Sequence, residues 1–207
     1  MHGPFGKKCR FSFHDRHERI FRMGFFYRYR KCVLLTLAFR EETYLKAKHA
    51  VDPFSKHFFN INVCDKLPGD RVIPDTRNKK CQTLNYSKDV PLVSIIITFH
   101  NEARCALFRT IKSVIDRTPS HLIKEIILVD DFSENVQDGR ELLKISKVVV
   151  LRNAEREGLI RSRNKGAANA TAEVLVFLDS HCEVNDQWLE PLLTRIKQVM
   201  AKMTSSQ

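Results

Sequence analysis

The sequence lacks the long apolar run that a membrane-spanning protein requires. A transmembrane helix needs about twenty apolar residues, whereas the longest early apolar stretch is Cys32–Phe39. No small-residue cleavage pattern follows that stretch, because Arg40-Glu41-Glu42 comes next, so we predict no secretory signal. We therefore expect no transmembrane segment in this chain.

The cysteines and glycines of this sequence do not form the motifs that commonly bind metals or phosphates. The six cysteines include no C-x-x-C pair, which disfavours a zinc module and a small disulfide scaffold. Neither G-x-G-x-x-G nor G-x-x-x-x-G-K-[ST] occurs, which disfavours a dinucleotide site and a P-loop ATP site. Two N-glycosylation sequons, at Asn85 and Asn169, would matter only in a secretory compartment.

The net charge is strongly positive, and most of the excess lies in the first quarter of the chain. Residues 1–50 carry 12 Lys and Arg against 4 Asp and Glu, out of a net charge of +11 for the whole chain. Arginines and aromatic residues alternate over 21–30, a composition that can bind single-stranded nucleic acid or an anionic membrane. Because no glycine-bounded strands present these aromatics, we favour a basic, partly disordered tail over residues 1–40 and expect no nucleic-acid partner.

The next fifty residues show little regular periodicity. Helix-forming residues occupy 41–50 and end at Asp52-Pro53, and prolines interrupt the segment that follows. We predict that residues 41–90 form an irregular segment wrapped over the surface of a domain spanning 91–200, with a tail at 201–207.

From Val90 onward, short apolar strands alternate with amphipathic helices. Strands are predicted at 93–97, 125–129, 147–151 and 174–178, with helices near 103–115, 141–145, 158–170 and 188–199. This alternation predicts an α/β fold with a Rossmann-like parallel sheet. Because Val174–Leu178 is apolar throughout, we expect this strand to be buried on both faces in the middle of the sheet.

Three of these strands end in polar residues, and the carboxyl ends of parallel strands meet at one edge of a sheet. The polar ends are Thr98 to Glu102, Asp130-Asp131 and Asp179-Ser180-His181. Side chains alternate along an extended backbone, so Asp179 and His181 project to the same side and can share Mn²⁺ or a similar ion. The second carboxylate pair either binds a uracil or ribose or caps the following turn.

Three arginines surround the start of the helix before the last strand. Arg156, Arg161 and Arg163 could contact a phosphate or a polarised sugar, or could form a solvated helix face. Combined with a divalent-ion pair and a carboxylate at a neighbouring strand end, they are typical of a site for a nucleotide-sugar donor.

Four motifs in order are specific enough to indicate a family. They are Ile97-Thr98-Phe99-His100-Asn101-Glu102-Ala103, Glu125-Ile126-Ile127-Leu128-Val129-Asp130-Asp131, Arg156-Glu157-Gly158-Leu159-Ile160-Arg161 and Phe177-Leu178-Asp179-Ser180-His181-Cys182-Glu183. Through them the chain resembles the front half of the catalytic domain of the polypeptide N-acetylgalactosaminyltransferases. These are retaining, manganese-dependent enzymes of GT-A fold that start mucin-type O-glycosylation in the Golgi.

The resemblance implies a function and a set of site residues. It implies transfer of N-acetylgalactosamine (GalNAc) from UDP-GalNAc to Ser or Thr hydroxyls of proteins, with Mn²⁺ held by Asp179 and His181. The acceptor supplies the nucleophile, so no catalytic residue is assigned. The donor contacts that it implies are Thr98, Asp131, Arg156 and Ser180.

The chain also departs from the family pattern. Residues 180–207 are too few to hold the family's third metal ligand, a downstream histidine, or its acceptor-binding half. The resemblance therefore implies a truncated GT-A domain with Cys81 unpaired and apolar surface exposed beside the sheet. The alternative is an inactive fragment that binds a nucleotide sugar or a protein partner. Golgi localisation is implied by the family, although the usual membrane anchor is missing.

Overall fold

Four parallel strands form the centre of the structure, a computed structural model that describes residues 39–45 and 52–204. The strands are β1 (Val93–Phe99), β2 (Ile123–Asp130), β3 (Val148–Arg152) and β4 (Val174–Asp179). They lie in the order β3-β2-β1-β4, with all three neighbouring pairs parallel. The predicted α/β fold with a parallel sheet is confirmed.

The helices alternate with the strands as the apolar periodicity predicted. In chain order, those within the described residues are α1 (Glu41–Tyr44), α2 (Ile61–Cys64), α3 (Lys79–Gln82), α4 (Arg104–Arg117), α5 (Gln137–Arg140), α6 (Leu159–Asn169) and α7 (Glu190–Thr204). A 3-10 helix, Glu141–Lys144, continues α5. Within the part of the chain that is described, no helix is long and apolar enough to cross a membrane.

Several sequence predictions concern residues outside the described ranges. The alternating aromatic and basic stretch at 21–30, the apolar run through residue 38 and the end of the predicted helix at 46–50 all lie there. The predicted domain boundaries at residues 40, 90 and 200 stay predictions.

β1 is buried on both faces, and a separate hydrophobic cluster packs against each face. Ile95 and Ile97 belong to the larger cluster, which includes Leu107 of α4, whereas Ile96 faces α6 on the other side. The close approach of α6 depends on Gly166, because a Cβ atom there would lie 2.5 Å from Cγ2 of Ile96. Helix and sheet are thereby in van der Waals contact at the middle of β1.

The prediction that β4 lies in the middle of the sheet, buried on both faces, was wrong. Among the described strands β4 pairs only with β1, and it forms one edge of the sheet. Leu175 is 38% exposed and Phe177 is 43% exposed, whereas Val174 is buried. An unbroken apolar run shows that both faces of a strand are apolar, but it does not show which neighbours cover them. The expected exposed apolar surface beside the sheet is found on this face.

Tyr44 fixes the segment before the sheet to the main domain. Its side chain is completely buried, and its hydroxyl donates to the carbonyl oxygen of Asp138 at 2.9 Å. The guanidinium of Arg104 lies 4.7 Å from the centroid of the Tyr44 ring and donates to the Tyr44 carbonyl at 2.9 Å. The first turn of the described chain is therefore part of the core.

A disulfide joins the irregular segment to the first long helix. Cys64 at the end of α2 is bonded to Cys105 near the start of α4, 41 positions later. Arg109 donates to the carbonyl oxygen of Cys64 at 2.9 Å and to its sulfur at 3.0 Å. The spacing of the cysteines did not predict this pair. Cys81 is free and exposed, as the resemblance implied.

Removing this disulfide should cost a large part of the stability. We expect the double variant Cys64→Ser/Cys105→Ser to lose about 3 to 4 kcal/mol, since the bond closes a loop of 41 residues in the unfolded chain. Urea unfolding monitored by circular dichroism measures the difference. The exposed free cysteine offers the control, because Cys81→Ser should leave the midpoint unchanged. A double variant with the wild-type midpoint would contradict the expectation.

Candidate functional site

The polar ends of three strands meet at the carboxyl edge of the sheet. Thr98 of β1 pairs in register with Asp179 of β4, and Phe99 pairs with Asp130 of β2. The chain direction of all strands is the same, so each leaves the sheet at this edge. The structure thus brings the strand-end residues singled out in the sequence to one side of the domain.

Thr98 contributes a hydroxyl that has no partner within the described residues. Its Oγ1 atom is buried, yet it makes no hydrogen bond there. A buried hydroxyl without a partner costs about 1 to 3 kcal/mol. Thr98 pairs in register with Asp179, so this hydroxyl lies at the sheet edge beside a candidate metal ligand.

Among the described residues, Asp131 is the carboxylate with the most hydrogen-bond and ion-pair partners at this edge. One oxygen accepts from Nδ2 of Asn153 and from the backbone N–H of Glu157, both at 2.8 Å. The other accepts from the N–H of Gly158 at 2.9 Å and forms an ion pair with Arg156. Burial alone would raise the pKa of this carboxyl, but these hydrogen bonds and the guanidinium outweigh burial and hold its pKa below the usual value.

The neighbouring Asp130 has a different partner set. Its Oδ1 accepts from the backbone N–H of Ser133 at 2.8 Å, and its Oδ2 pairs with Arg152. Phe132, which lies in the turn between Asp130 and Ser133, has φ of 62°, a left-handed conformation that is unusual for a bulky residue. Asp130 therefore caps the turn after β2, while Asp131 holds the loop that starts α6. Of the two alternatives that the sequence left open for this pair, the turn cap applies to Asp130, whereas the binding of a uracil or ribose by Asp131 stays a prediction.

The loop held by Asp131 sets the start of α6. Gly158 is the N-cap of α6 and has φ of 85°, which a residue with a side chain rarely adopts. Further along the helix, Nη2 of Arg163 donates to Oδ1 of Asp179 at 2.8 Å. Arg161 is exposed. Through α6, the structure links the Asp131–Arg156 pair to the end of β4.

A second cluster surrounds the residues that follow β4. Oε2 of Glu102 accepts from Oγ of Ser180 at 2.6 Å and from Nδ1 of His181 at 3.0 Å, while its Oε1 accepts from the N–H of Ala103 at 2.9 Å. The carbonyl of Ser180 in turn accepts from Thr110 at 2.9 Å. Ser180 is buried, and the His181 side chain is 64% exposed.

The sequence analysis did not assign a role in the site to Glu102 or to Asn153. Glu102 stood inside a motif and at a polar strand end, and that position is the signal that could have identified it. Asn153, which also contacts Oγ of Ser162 at 3.0 Å, follows β3 at the same edge. Its position just after a strand is the only hint that the sequence offers.

The potential metal-ligand atoms at the end of β4 suit a hard or borderline divalent ion. Asp179 offers a half-exposed carboxylate, and His181 offers Nε2 because its Nδ1 is bonded to Glu102. Oxygen and imidazole ligands of this kind fit Mn²⁺. Within residues 39–45 and 52–204, no group of three or more His, Cys, Asp or Glu is arranged to hold a metal.

Comparison with protein families gives a match over more than half of the chain. The model described as "Glycosyl transferase family 2" matches residues 94–205. This range begins in β1 and ends with α7, so it covers the whole sheet and the polar edge.

Curated relatives are much longer than this chain. "Polypeptide N-acetylgalactosaminyltransferase 16" of Homo sapiens is 55% identical over 170 residues, which cover 81% of this chain and 30% of that protein. "Inactive polypeptide N-acetylgalactosaminyltransferase-like protein 5" of Macaca fascicularis is 50% identical over 147 residues, covering 68% of this chain and 33% of that protein. The chain thus spans about a third of the length of these relatives.

A solved structure has the same fold. The structure described as "Crystal structure of GalNAc-T7 with UDP, GalNAc and Mn2+" matches with a TM-score of 0.64 and 40% identity. The match covers 68% of this chain and 27% of that one. Together with the curated relatives, it confirms the resemblance that the four motifs indicated and the GT-A type of the sheet.

Proposed function

The chain belongs to glycosyl transferase family 2, and we propose that it carries the UDP-GalNAc donor site of a polypeptide N-acetylgalactosaminyltransferase. The observation that carries the proposal is the sheet edge, where Asp179 pairs in register with Thr98, whose hydroxyl has no hydrogen-bond partner among the described residues, and where His181 follows two positions after Asp179. In open α/β sheets, ligands bind in the crevice at this edge. The proposed reaction transfers GalNAc from UDP-GalNAc to Ser or Thr hydroxyls of proteins.

Four residues would contact the nucleotide sugar. Thr98 would donate or accept through its hydroxyl, which has no partner among the described residues, and Ser180 lies between the two proposed metal ligands in the sequence. Arg156 remains half-exposed although it pairs with Asp131, so its guanidinium can reach a ligand while the carboxylate keeps it in place. Asp131, which follows β2, fixes the loop that carries Arg156, and both side chains would face the nucleotide.

Asp179 and His181 would hold Mn²⁺ in this site. When bound, the ion would neutralise charge on the diphosphate as UDP leaves. Nη2 of Arg163 donates to Oδ1 of Asp179 and would orient that carboxylate at the sheet edge. The acceptor hydroxyl would act as the nucleophile, so no side chain described here is assigned to that role.

The disulfide supports a place in the secretory pathway. Disulfides persist in oxidising compartments, and the bond between Cys64 and Cys105 is buried. We therefore propose the Golgi, as for enzymes of this family, with proteins bearing Ser or Thr as acceptors.

A second candidate function is a nucleotide-sugar or partner-binding module without transferase activity. The observation in its favour is that no third protein ligand for a metal is found among the described residues. One relative with similar identity carries the word inactive in its name, so likeness over this region does not by itself decide activity.

Calorimetric titration of UDP into the purified chain, with and without Mn²⁺, tests the donor site. We expect binding that requires Mn²⁺, because the diphosphate would complete the coordination of an ion held by two side chains. No binding by a folded chain would refute the donor site. A transfer assay with UDP-GalNAc and a Ser/Thr peptide then separates the candidates, since a binding module would bind UDP and transfer nothing.

A further inference from the structure

We propose that Glu102 is a positioning residue that fixes His181 for metal binding, an inference that rests on the proposed donor site. Glu102 lies in the turn between β1 and α4, whereas His181 follows β4, 79 positions later. The hydrogen bond between them joins the turns after two neighbouring strands of the sheet. No motif assigned this contact, because it exists only once those strands are paired.

The contact determines which nitrogen of His181 can bind a cation. An ionised carboxylate only accepts hydrogen bonds, so Nδ1 of His181 must carry the proton that it donates to Oε2 of Glu102 at 3.0 Å. In the neutral ring Nε2 then carries the lone pair. Metal-binding histidines commonly donate their second nitrogen to a carboxylate, which sets the tautomer and the ring orientation. The geometry of Glu102 has this form.

His181 needs such a partner because its surroundings do not restrain it. Its side chain is 64% exposed, so packing alone does not select a rotamer. The backbone before it is fixed, since the carbonyl of Ser180 accepts from Thr110 and the Ser180 hydroxyl donates to Glu102 at 2.6 Å. Glu102 therefore orders both the residue before the ring and the ring itself, and its own side chain is only 14% exposed.

A purely structural role for Glu102 makes a different prediction. Its Oε1 accepts from the N–H of Ala103, a contact that supports the start of α4 whether or not a metal binds. Under that role, replacing Glu102 would lower the stability and leave the tautomer of His181 unchanged. Under the proposed role, the substitution would alter the tautomer and weaken metal binding, even in a protein that remains folded.

The test compares Glu102→Gln with a matched control in the full chain. Glutamine keeps the shape of the side chain but removes the charge and one acceptor. Glu183→Gln is the control, because Glu183 is equally buried, at 12% exposure, and pairs with Arg71 and Arg109 instead of with the metal ligands. Binding of Mn²⁺ alone is followed by electron paramagnetic resonance of the free ion, and folding is checked by thermal unfolding.

We expect Glu102→Gln to weaken Mn²⁺ binding by about 10- to 100-fold, the usual effect of losing such a partner, and Glu183→Gln to leave it unchanged. Nitrogen NMR of His181 in the metal-free protein should show one tautomer in the wild type and a mixture in Glu102→Gln. Equal affinity and an unchanged tautomer in Glu102→Gln would overturn the inference. A wild-type chain that binds no Mn²⁺ would instead refute the proposed donor site.

Discussion

Asp179→Ala should abolish the Mn²⁺-dependent part of UDP binding. Asp179 is the last residue of β4 and offers the only carboxylate of the proposed ligand pair, so its loss leaves the ion with His181 alone. We expect the apparent affinity for UDP in the presence of Mn²⁺ to fall at least about 100-fold, beyond the effect of losing an outer partner of a ligand. Calorimetric titration with and without the metal measures both contributions.

The stability of the domain should change little in this variant. The Asp179 side chain is 55% exposed and its ion pair with Arg163 is at the surface, where such pairs contribute at most about 1 kcal/mol. Asp186→Ala is a suitable control, since Asp186 follows the same strand but is 71% exposed and lies 4.0 Å from Arg117. If Asp179→Ala bound UDP with undiminished dependence on Mn²⁺, the proposed metal site would be refuted.

Asp131→Ala is expected to have the largest effect on folding. The substitution leaves three hydrogen-bond donors of buried or half-buried groups without their acceptor, namely Asn153 Nδ2 and the backbone N–H groups of Glu157 and Gly158. Removing one partner of a buried charged network costs about 3 to 5 kcal/mol. The loop before α6 should then lose its fixed position, and with it the proposed contact of Arg156 with the nucleotide.

Denaturant unfolding and UDP titration test the two consequences. Arg156→Gln is the matched control: it removes the charge partner of Asp131 but keeps every backbone hydrogen bond to the carboxylate. Because Arg156 is 54% exposed, we expect this variant to lose no more than about 1 kcal/mol of stability while its UDP binding weakens. An Asp131→Ala variant as stable as Arg156→Gln would show that the carboxylate does not hold the loop.

The order of strands and helices could be predicted because it depends on local patterns. β-branched runs such as Val93–Ile97 and the helical spacing of Leu107 and Ile111 are properties of a few neighbouring residues. The same patterns located the ends of the strands. Since parallel strands end at one edge, the grouping of Thr98 with Asp179 followed from the order of the elements.

The position of β4 in the sheet could not be predicted in the same way. Its apolar run is compatible with any strand that has apolar side chains on both faces, and only pairing in three dimensions makes it an edge with Phe177 exposed. The disulfide between Cys64 and Cys105 is a further example. It requires α2 to pack on α4, and the spacing of cysteines contains no information about that contact.

The sequence by itself therefore determined the fold class, the strand ends and the residue types available to a divalent ion and a nucleotide. Only the tertiary structure decided how those side chains are used. Glu102 meets His181 across 79 positions, and Asp131 turns to the loop before α6 while Asp130 caps its own turn. The physical reason is that periodicity and motifs are local, whereas hydrogen-bond partners of buried carboxylates are chosen by the packing of distant segments.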